Sequence, residues 1–333
     1  MKKILVSIFI LIVLTGCSEV KYQNGEVNVL NWSSYIPDDV ISEFEREYDI
    51  KVNYSTYSSN EELLAKVTNS KEGTYDLVFP SDYMVELMGD RGLLDIIDFS
   101  KINNASNIDD VFFGLEYDRN NVYSIPFLMT YVVIAKDKSK IRDNITNYNH
   151  LLKEDYKNNM VVLDDQRIVI GLGLKTLGYD MNSLNNNNYD SVKEFLLKLK
   201  NNIKAFDSDS PKSFLITDEV DLGVMWHAEA LLAKRYNKNI EIIIPSDGYA
   251  ISIDNYAILK GCKNSENAYK LINYLLRNDI GLRIINDYPY ISSIREINEI
   301  SSNEIKNIIK NGTYVKNIGF DIKYYDNLWA EIK

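Results

Sequence analysis

Between residues 27 and 80 the apolar positions switch back and forth between two periodicities, and this alternation restricts the fold more than any other feature of the chain. Residues 27–31 read as a strand. Pro37 stands where a helix can begin, because proline suits the first turn. Val40, Ile41, Phe44 and Tyr48 then recur at helical spacing. Ile50, Val52 and Tyr54 alternate as a second strand. Ser59 and Glu62 form a capping box ahead of a helix carrying Leu63, Leu64 and Val67. Residues 75–79 read as a third strand stopped by Pro80, and Gly89 and Gly92 bound the next short helix. A β-α-β-α-β order predicts an α/β fold with a mostly parallel sheet covered by helices.

A second unit of the same kind follows. Residues 160–163 and 222–226 read as short buried strands, with helical patterns around 166–177 and 189–200 between them. Residues 251–258 alternate as a further strand, and the last helices carry Tyr269, Leu271, Ile272 and Leu275, then Tyr324 and Tyr325. The asparagines at 185–188 read as a surface turn. No internal repeat appears, and no long Gly/Ser or Pro linker divides the chain, so two lobes joined by strand-like crossings are expected.

The N-terminus carries an export signal. Lys2 and Lys3 precede an apolar run from Ile4 to Leu14. Eleven helical residues reach only about 16 Å, short of the roughly 20 residues that span a bilayer. The run therefore reads as a signal-peptide core. Leu14-Thr15-Gly16-Cys17 resembles the bacterial lipobox, in preference to an ordinary secretory signal that happens to hold a cysteine. Residues 1–16 are thus expected to be removed, Cys17 to carry lipid, and residues 17–25 to form a polar tether. No later segment is apolar enough to span a bilayer, so the protein is expected outside the cytoplasm, held to the cell membrane by its lipid alone.

Composition removes several classes of function. The 333 residues hold 37 Lys+Arg against 48 Asp+Glu, a net charge of −11. That balance argues against nucleic acid and suits a cationic ligand as well as plain solubility. Two cysteines, Cys17 and Cys262, cannot build a disulfide framework or a cysteine zinc site. His150 and His227 are too scattered for a metal site and read as structural, and no cofactor is expected. Gly171, Gly173 and Gly178 fall inside a helical pattern, where close packing explains them better than phosphate binding. There is no P-loop, HExxH or GxSxG motif.

Ligands of open α/β sheets bind beyond the carboxyl ends of the strands. The residues found there are Trp32, Ser33, Ser34 and Tyr35 after the first strand, and Ser81, Asp82 and Tyr83 after the third. Asp164 and Asp165 follow residue 163, Trp226 closes its strand, Asp254 sits in the returning strand, and Tyr288 lies in a late loop. Aromatic faces attract ammonium groups and pack on methylenes, while carboxylates accept their N–H donors. Together these residues suit a flexible organic cation. Singly, each has a plainer reading: a strand-end Trp is commonly core, and an Asp after a strand is commonly a helix cap.

The same stretches resemble the spermidine/putrescine-binding proteins of polyamine ABC importers, from about residue 27 to the C-terminus. The marks are Asn31-Trp32-Ser33-Ser34-Tyr35-Ile36-Pro37, Tyr54-Ser55-Thr56-Tyr57, Tyr75-Asp76-Leu77-Val78-Phe79-Pro80-Ser81, Tyr123-Ser124-Ile125-Pro126, Asp164-Asp165 with Arg167, Leu222-Gly223-Val224-Met225-Trp226, and Ile253-Asp254. The resemblance implies a type II periplasmic-binding-protein-like fold, with a ligand cleft between two lobes. Residues 26–131 with 256–300 are expected to form one lobe, and 132–255 with 301–333 the other. It further implies that Trp32, Tyr35, Tyr83, Trp226 and Tyr288 wall the ligand, that Ser33 and Ser81 hydrogen-bond it, and that Asp165 and Asp254 hold its amino groups. The expected partners are a polyamine and a membrane permease, with the binding protein itself a monomer and not an enzyme.

The sequence also departs from that family. Ser34 stands at an often acidic position, Ile168 where a glutamate is expected, Ser252 where an aromatic is usual, and Val315 where a polar site residue aligns. Two well-placed carboxylates neutralise a dication, which favours putrescine or another small amine over spermidine. Asp82, Asp164 or Glu229 could supply a third charge. The other readings are a protein of the same fold for a sugar or ferric ion, a surface lipoprotein hydrolase using a carboxylate pair, and an adhesin-like interaction protein.

Overall fold

The computed structural model describes residues 21–33 and 35–333, the side chain of Phe320 excepted. The leader, Cys17, the first residues of the tether and Ser34 lie outside the described residues. The strands are Glu26–Trp32 (β1), Lys51–Tyr57 (β2), Leu77–Val78 (β3), Ile125–Asp137 (β4), Met160–Val162 (β5), Ile203–Phe206 (β6), Leu222–Trp226 (β7), Ile240–Ile243 (β8), Ala250–Ile258 (β9), Ile291–Ser292 (β10) and Thr313–Tyr314 (β11). Their order is β2-β1-β3-β9-β4-β7-β5-β6, with β8 and β10 also on β4 and β11 on β9.

Two parallel groups flank an antiparallel pair. β1 runs parallel to β2 and β3, and β5 runs parallel to β6 and β7. Between them β4 and β9 are antiparallel to each other and to their outer neighbours. The sheet is therefore mixed rather than mostly parallel, because two α/β lobes share long strands that cross from one to the other. β4 pairs with β9 from Ile125 to Tyr131, then with β7 from Val132 to Lys136. All thirteen residues of β4 are buried, as expected for a strand covered on both faces.

Local chemistry sets most element ends. Helix Asp38–Tyr48 follows Pro37. Ser59 caps helix Asn60–Asn69 by accepting from Glu62 N at 3.1 Å. Glu62 reaches one residue past the expected box partner, to Ser58 N and Oγ. Helix Asp82–Asp90 starts directly after Ser81 and runs through Gly89, which corrects the helix expected near Gly89 and Gly92. A Cβ at Gly89 would lie 2.9 Å from the Tyr123 ring, so helix packing requires the glycine, while Gly92 makes the turn at φ +66°. Gly171 and Gly173 likewise lie in helix Gln166–Thr176, against Met181 and against Val192 and Leu196. The third strand is shorter than expected, at Leu77–Val78. Asn188 folds back on Asn185 N and Ser183 O, which makes the asparagine run a hydrogen-bonded turn.

The largest cluster of buried side chains runs from the first lobe, with Phe44, Phe79, Phe127 and Tyr256, along the crossing strands to Met225, Ala230 and Ile240 of the second. A second fills the other lobe around Met160, Leu172, Leu196 and Tyr325. A third, with Leu30, Tyr57, Leu63 and Met84, backs the strand ends of the first lobe. Each fully buried side chain of this size contributes roughly 1.5–3 kcal/mol, so the strand ends stand on rigid supports.

Candidate binding cleft

The crossing strands carry the most tightly held carboxylate. Asp254, on β9 opposite Leu128 of β4, is 6% exposed. Its Oδ1 accepts from Ser81 Oγ at 2.6 Å, and its Oδ2 accepts from the Tyr35 hydroxyl. The Trp32 indole, close by, donates to Phe79 O at 3.0 Å. Burial drives the Asp254 pKa up to about 6, while the side chains of Ser81, Tyr35 and Trp32 act to lower it. Ser81 is fixed in turn by Asn60, whose amide exchanges bonds of 3.1 and 3.2 Å with Ser81 Oγ and N.

Strand register places further residues beside Asp254. Directly paired residues of antiparallel strands point to the same face, and so do residues two apart. The pairs Leu128–Asp254, Thr130–Ser252 and Val132–Trp226 therefore share one face of the crossing. Trp226, Ser252 and Asp254 thus stand on the same face. Aromatic rings rise around it. Trp32 lies 4.6 Å from Tyr57, and Tyr35 lies 5.0 Å from Tyr290 and 5.9 Å from Phe127, all between ring centroids. Beyond Tyr35 a cavity of about 480 Å³ opens, bordered by Tyr54 and Tyr288, with Asp38, Asp39 and Asp287 on its rim.

Tyr83 packs against the buried clusters of both lobes and donates to Glu61 at 3.0 Å. The charges acting on its hydroxyl come from Glu61, Asp165 and Arg167, so its ring reaches toward the second lobe. There Asp165 caps helix Gln166–Thr176: its Oδ1 accepts from Arg167 N at 2.8 Å and Ile168 N at 3.0 Å. The plain helix-cap reading holds for Asp165. Burial raises its pKa, the two backbone bonds oppose that, and Glu61 adds to it. Arg167, whose charge also lowers the Asp165 pKa, donates to Asn182 Oδ1 and Lys316 O and lies over the face of Tyr325.

The three carboxylates considered as a source of further charge are committed elsewhere. Asp82 is 1% exposed and accepts from Tyr83 N at 2.7 Å and Ile253 N at 3.1 Å. Burial lifts its pKa to about 8, so it is mainly neutral at pH 7 and ties its helix to β9. Asp164 pairs with Lys333, and Glu229 with Lys212 at 2.8 Å. Ser33 is exposed in the turn after β1. Ile168 and Val315 are buried among the apolar residues of the second lobe. His227 stacks on Tyr131 at 4.5 Å, and burial lowers its pKa to about 4. Sequence reasoning missed Asn60, Glu61 and Tyr290. The first two sit in the stretch already read as a helix start, and Tyr290 stands two residues past Tyr288, so strand-end position gave no signal for any of them.

Residues 39–311 match the model of the bacterial extracellular solute-binding proteins. The chain belongs to that family. Residues 1–18 match the prokaryotic membrane lipoprotein lipid attachment site, so this solute-binding protein is exported and lipid-anchored. No helix among the described residues is long and apolar enough to cross a membrane. The chain is 33% identical over 320 residues to the spermidine/putrescine-binding periplasmic protein of Escherichia coli, covering 93% of this chain and 92% of the relative. A putrescine-binding periplasmic protein of the same organism is 27% identical over 300 residues, covering 84% and 81%. A solved structure described as a spermidine/putrescine ABC transporter from Listeria monocytogenes matches with TM-score 0.85 at 30% identity, over 92% of this chain and 98% of that one. The two-lobed α/β fold expected from the sequence is that of this solute-binding family.

Proposed function

We propose that this protein captures a polyamine of the putrescine/spermidine class and delivers it to the permease of an ABC importer. The observation that carries this reading is Asp254, a buried carboxylate held by Tyr35 and Ser81 among aromatic rings. A buried carboxylate is costly unless a cation meets it. A primary ammonium donates to Asp254, and the methylenes lie against Trp32, Tyr35 and Trp226. The far ammonium meets Asp165, whose Oδ1 is taken by two N–H groups of one helix N-terminus, leaving Oδ2 for the ligand. Glu61 beside Tyr83 brings a third carboxylate that the sequence count omitted, so the charge of a triamine can also be matched. A neutral sugar would leave Asp254 uncompensated.

The lobes close by bending where β4 changes partner between Tyr131 and Val132. We place the lobe boundary there on β4, and on β9 at Ile251, which faces Tyr131, so β9 enters the first lobe earlier than the expected residue 256. The closed form docks on the permease, and the ligand leaves chemically unchanged.

The titration of Asp254 gives a test. The amine stays protonated from pH 5 to 7, while Asp254, with a pKa of about 6, ionises over that interval. Binding is therefore expected to be about tenfold weaker at pH 5 than at pH 7 and to level off above that. Tryptophan fluorescence titrations with putrescine at the two values check this, and equal affinities count against Asp254 as the amine site.

A further inference from the structure

The end of the first lobe opposite the cleft carries the root of the tether. Asn24 N donates to Asp49 O at 2.9 Å, and Asn24 O accepts from Asn267 Nδ2 at 3.0 Å, so the chain is fixed to the fold at residue 24. Cys17, in the lipid attachment site, stands seven residues earlier. Seven residues reach at most about 25 Å when fully extended, so the lipid keeps this end near the membrane. β1 starts here and runs 7 residues to Trp32 at the cleft, a length of about 23 Å.

Six exposed lysines surround the root: Lys21, Lys51, Lys71, Lys260, Lys263 and Lys270. Lys51 N bonds Gly25 O at 2.9 Å, beside the tether. Lys71, Lys260 and Lys263 lie in the turns around the start of β3, where Thr74 N donates to Lys71 O, Lys260 N to Leu93 O and Lys263 N to Asp76 Oδ1. Lys270 reaches back to Asn267 Oδ1 at 3.4 Å, toward the start of helix Ser265–Leu275. None of the six has an ion-pair partner among the described residues. The carboxylates at this end are Glu26, Asp49, Glu72, Asp95 and Glu266, of which Glu266 is taken by Lys101 at 2.5 Å. This end is therefore locally basic on a chain whose net charge is −11. At physiological ionic strength the field of a charged surface decays over about 8 Å, far less than the length of β1. An anionic surface at the tether root meets the lysines and not the acids of the cleft.

We propose that this end of the first lobe docks on anionic lipid headgroups. The lipid anchor and the lysines together stand the first lobe on the membrane, hold the cleft away from it and leave the second lobe free to close. The contact does not depend on which solute the cleft takes.

Acetylation of the lipidated protein on vesicles, read lysine by lysine by mass spectrometry, tests this. The comparison is between vesicles of equal parts phosphatidylglycerol and phosphatidylcholine and vesicles of phosphatidylcholine alone. At about 0.1 M salt, Lys51, Lys71, Lys260 and Lys263 are expected to react about fivefold more slowly on the anionic vesicles, the scale of one lysine's attraction to such a surface. Lys157 and Lys238, exposed on the second lobe, are expected to react alike on both. Raising the salt to about 1 M, where screening shortens to about 3 Å, is expected to remove the difference. A variant combining Lys51→Gln, Lys71→Gln and Lys263→Gln is expected to keep its melting temperature and its solute binding and to lose the protection of Lys260. The tether alone brings this end equally near both lipids, so equal reactivity of the four lysines on the two vesicles overturns the proposal. Slower reaction of the second-lobe lysines instead, or protection of Lys260 that survives the triple substitution, also overturns it.

Discussion

Asp254→Asn is expected to weaken amine binding by two orders of magnitude or more while leaving the ligand-free protein at least as stable. The substitution keeps the size of the side chain and an oxygen able to accept from Ser81 or Tyr35. It removes the charge that the ammonium meets. Taking one partner from a buried, hydrogen-bonded charge pair costs about 2–5 kcal/mol of binding free energy. The stability effect has the opposite sign. The folded pKa of Asp254, about 6, lies above the ordinary aspartate value of 3.8. Its contribution is therefore fully present below the unfolded value and is lost as pH rises through 6. At pH 7 the wild type holds an ionised buried group that asparagine relieves. Calorimetric titration and thermal melting of the same sample measure both effects. A melting point lowered together with a modest loss of affinity would assign Asp254 to scaffolding.

Asp76→Ala is expected to destabilise the first lobe by roughly 3–5 kcal/mol, through buried donors left unpaired. Asp76 is fully buried. Its Oδ2 accepts from Asn28 N at 2.8 Å, Asn28 Nδ2 at 2.9 Å and Asn264 Nδ2 at 2.9 Å. Its Oδ1 accepts from Lys263 N and Asn264 N, both at 3.0 Å. One carboxylate thus joins β1 to the start of helix Ser265–Leu275. Removing it strands three backbone N–H groups in the interior. Because Asp76 directly precedes β3, which leads to Phe79 and Ser81, loosening there also disturbs the carbonyl and hydroxyl that position Trp32 and Asp254. Urea unfolding measures the loss. A midpoint within the error of wild type would show that the five bonds are replaced by water at no cost.

How legible these features were depended on whether the decisive signal was local. Strand β7 at Leu222–Trp226 and helix Tyr189–Lys200 coincide with their expected ranges, because their apolar periodicity and flanking polar residues are short-range properties. The glycines at 171 and 173 were likewise readable as packing positions, since a phosphate loop demands fixed spacing from a strand. Strand β4 was not read as a strand. Its thirteen residues are buried on both faces and lack the alternation by which an exposed strand is recognised. With it went the mixed character of the sheet and the position of the hinge, which depend on pairing between segments more than a hundred residues apart.

The site follows the same rule. Trp32, Tyr35, Ser81 and Asp254 were all named from strand ends and from the family resemblance, and the fold brings them into direct contact. Asp82 was named on the same grounds, but its side chain turns to the backbone of Ile253, and only the tertiary structure shows that. Asn60 and Glu61 lie at a helix start whose sequence signature is local, while their contacts with Ser81 and Tyr83 are long-range.

Calorimetric titration of a lipid-free form beginning at Ser18, stripped of bound solute, with putrescine and spermidine in parallel tests polyamine capture most directly. Saturable one-to-one binding of at least one amine, abolished by Asp254→Asn, is the predicted result. Folded protein that gives no binding heat with either amine, and whose melting temperature neither amine raises, would contradict it: the solute-binding fold would remain, and the cleft would belong to a different solute.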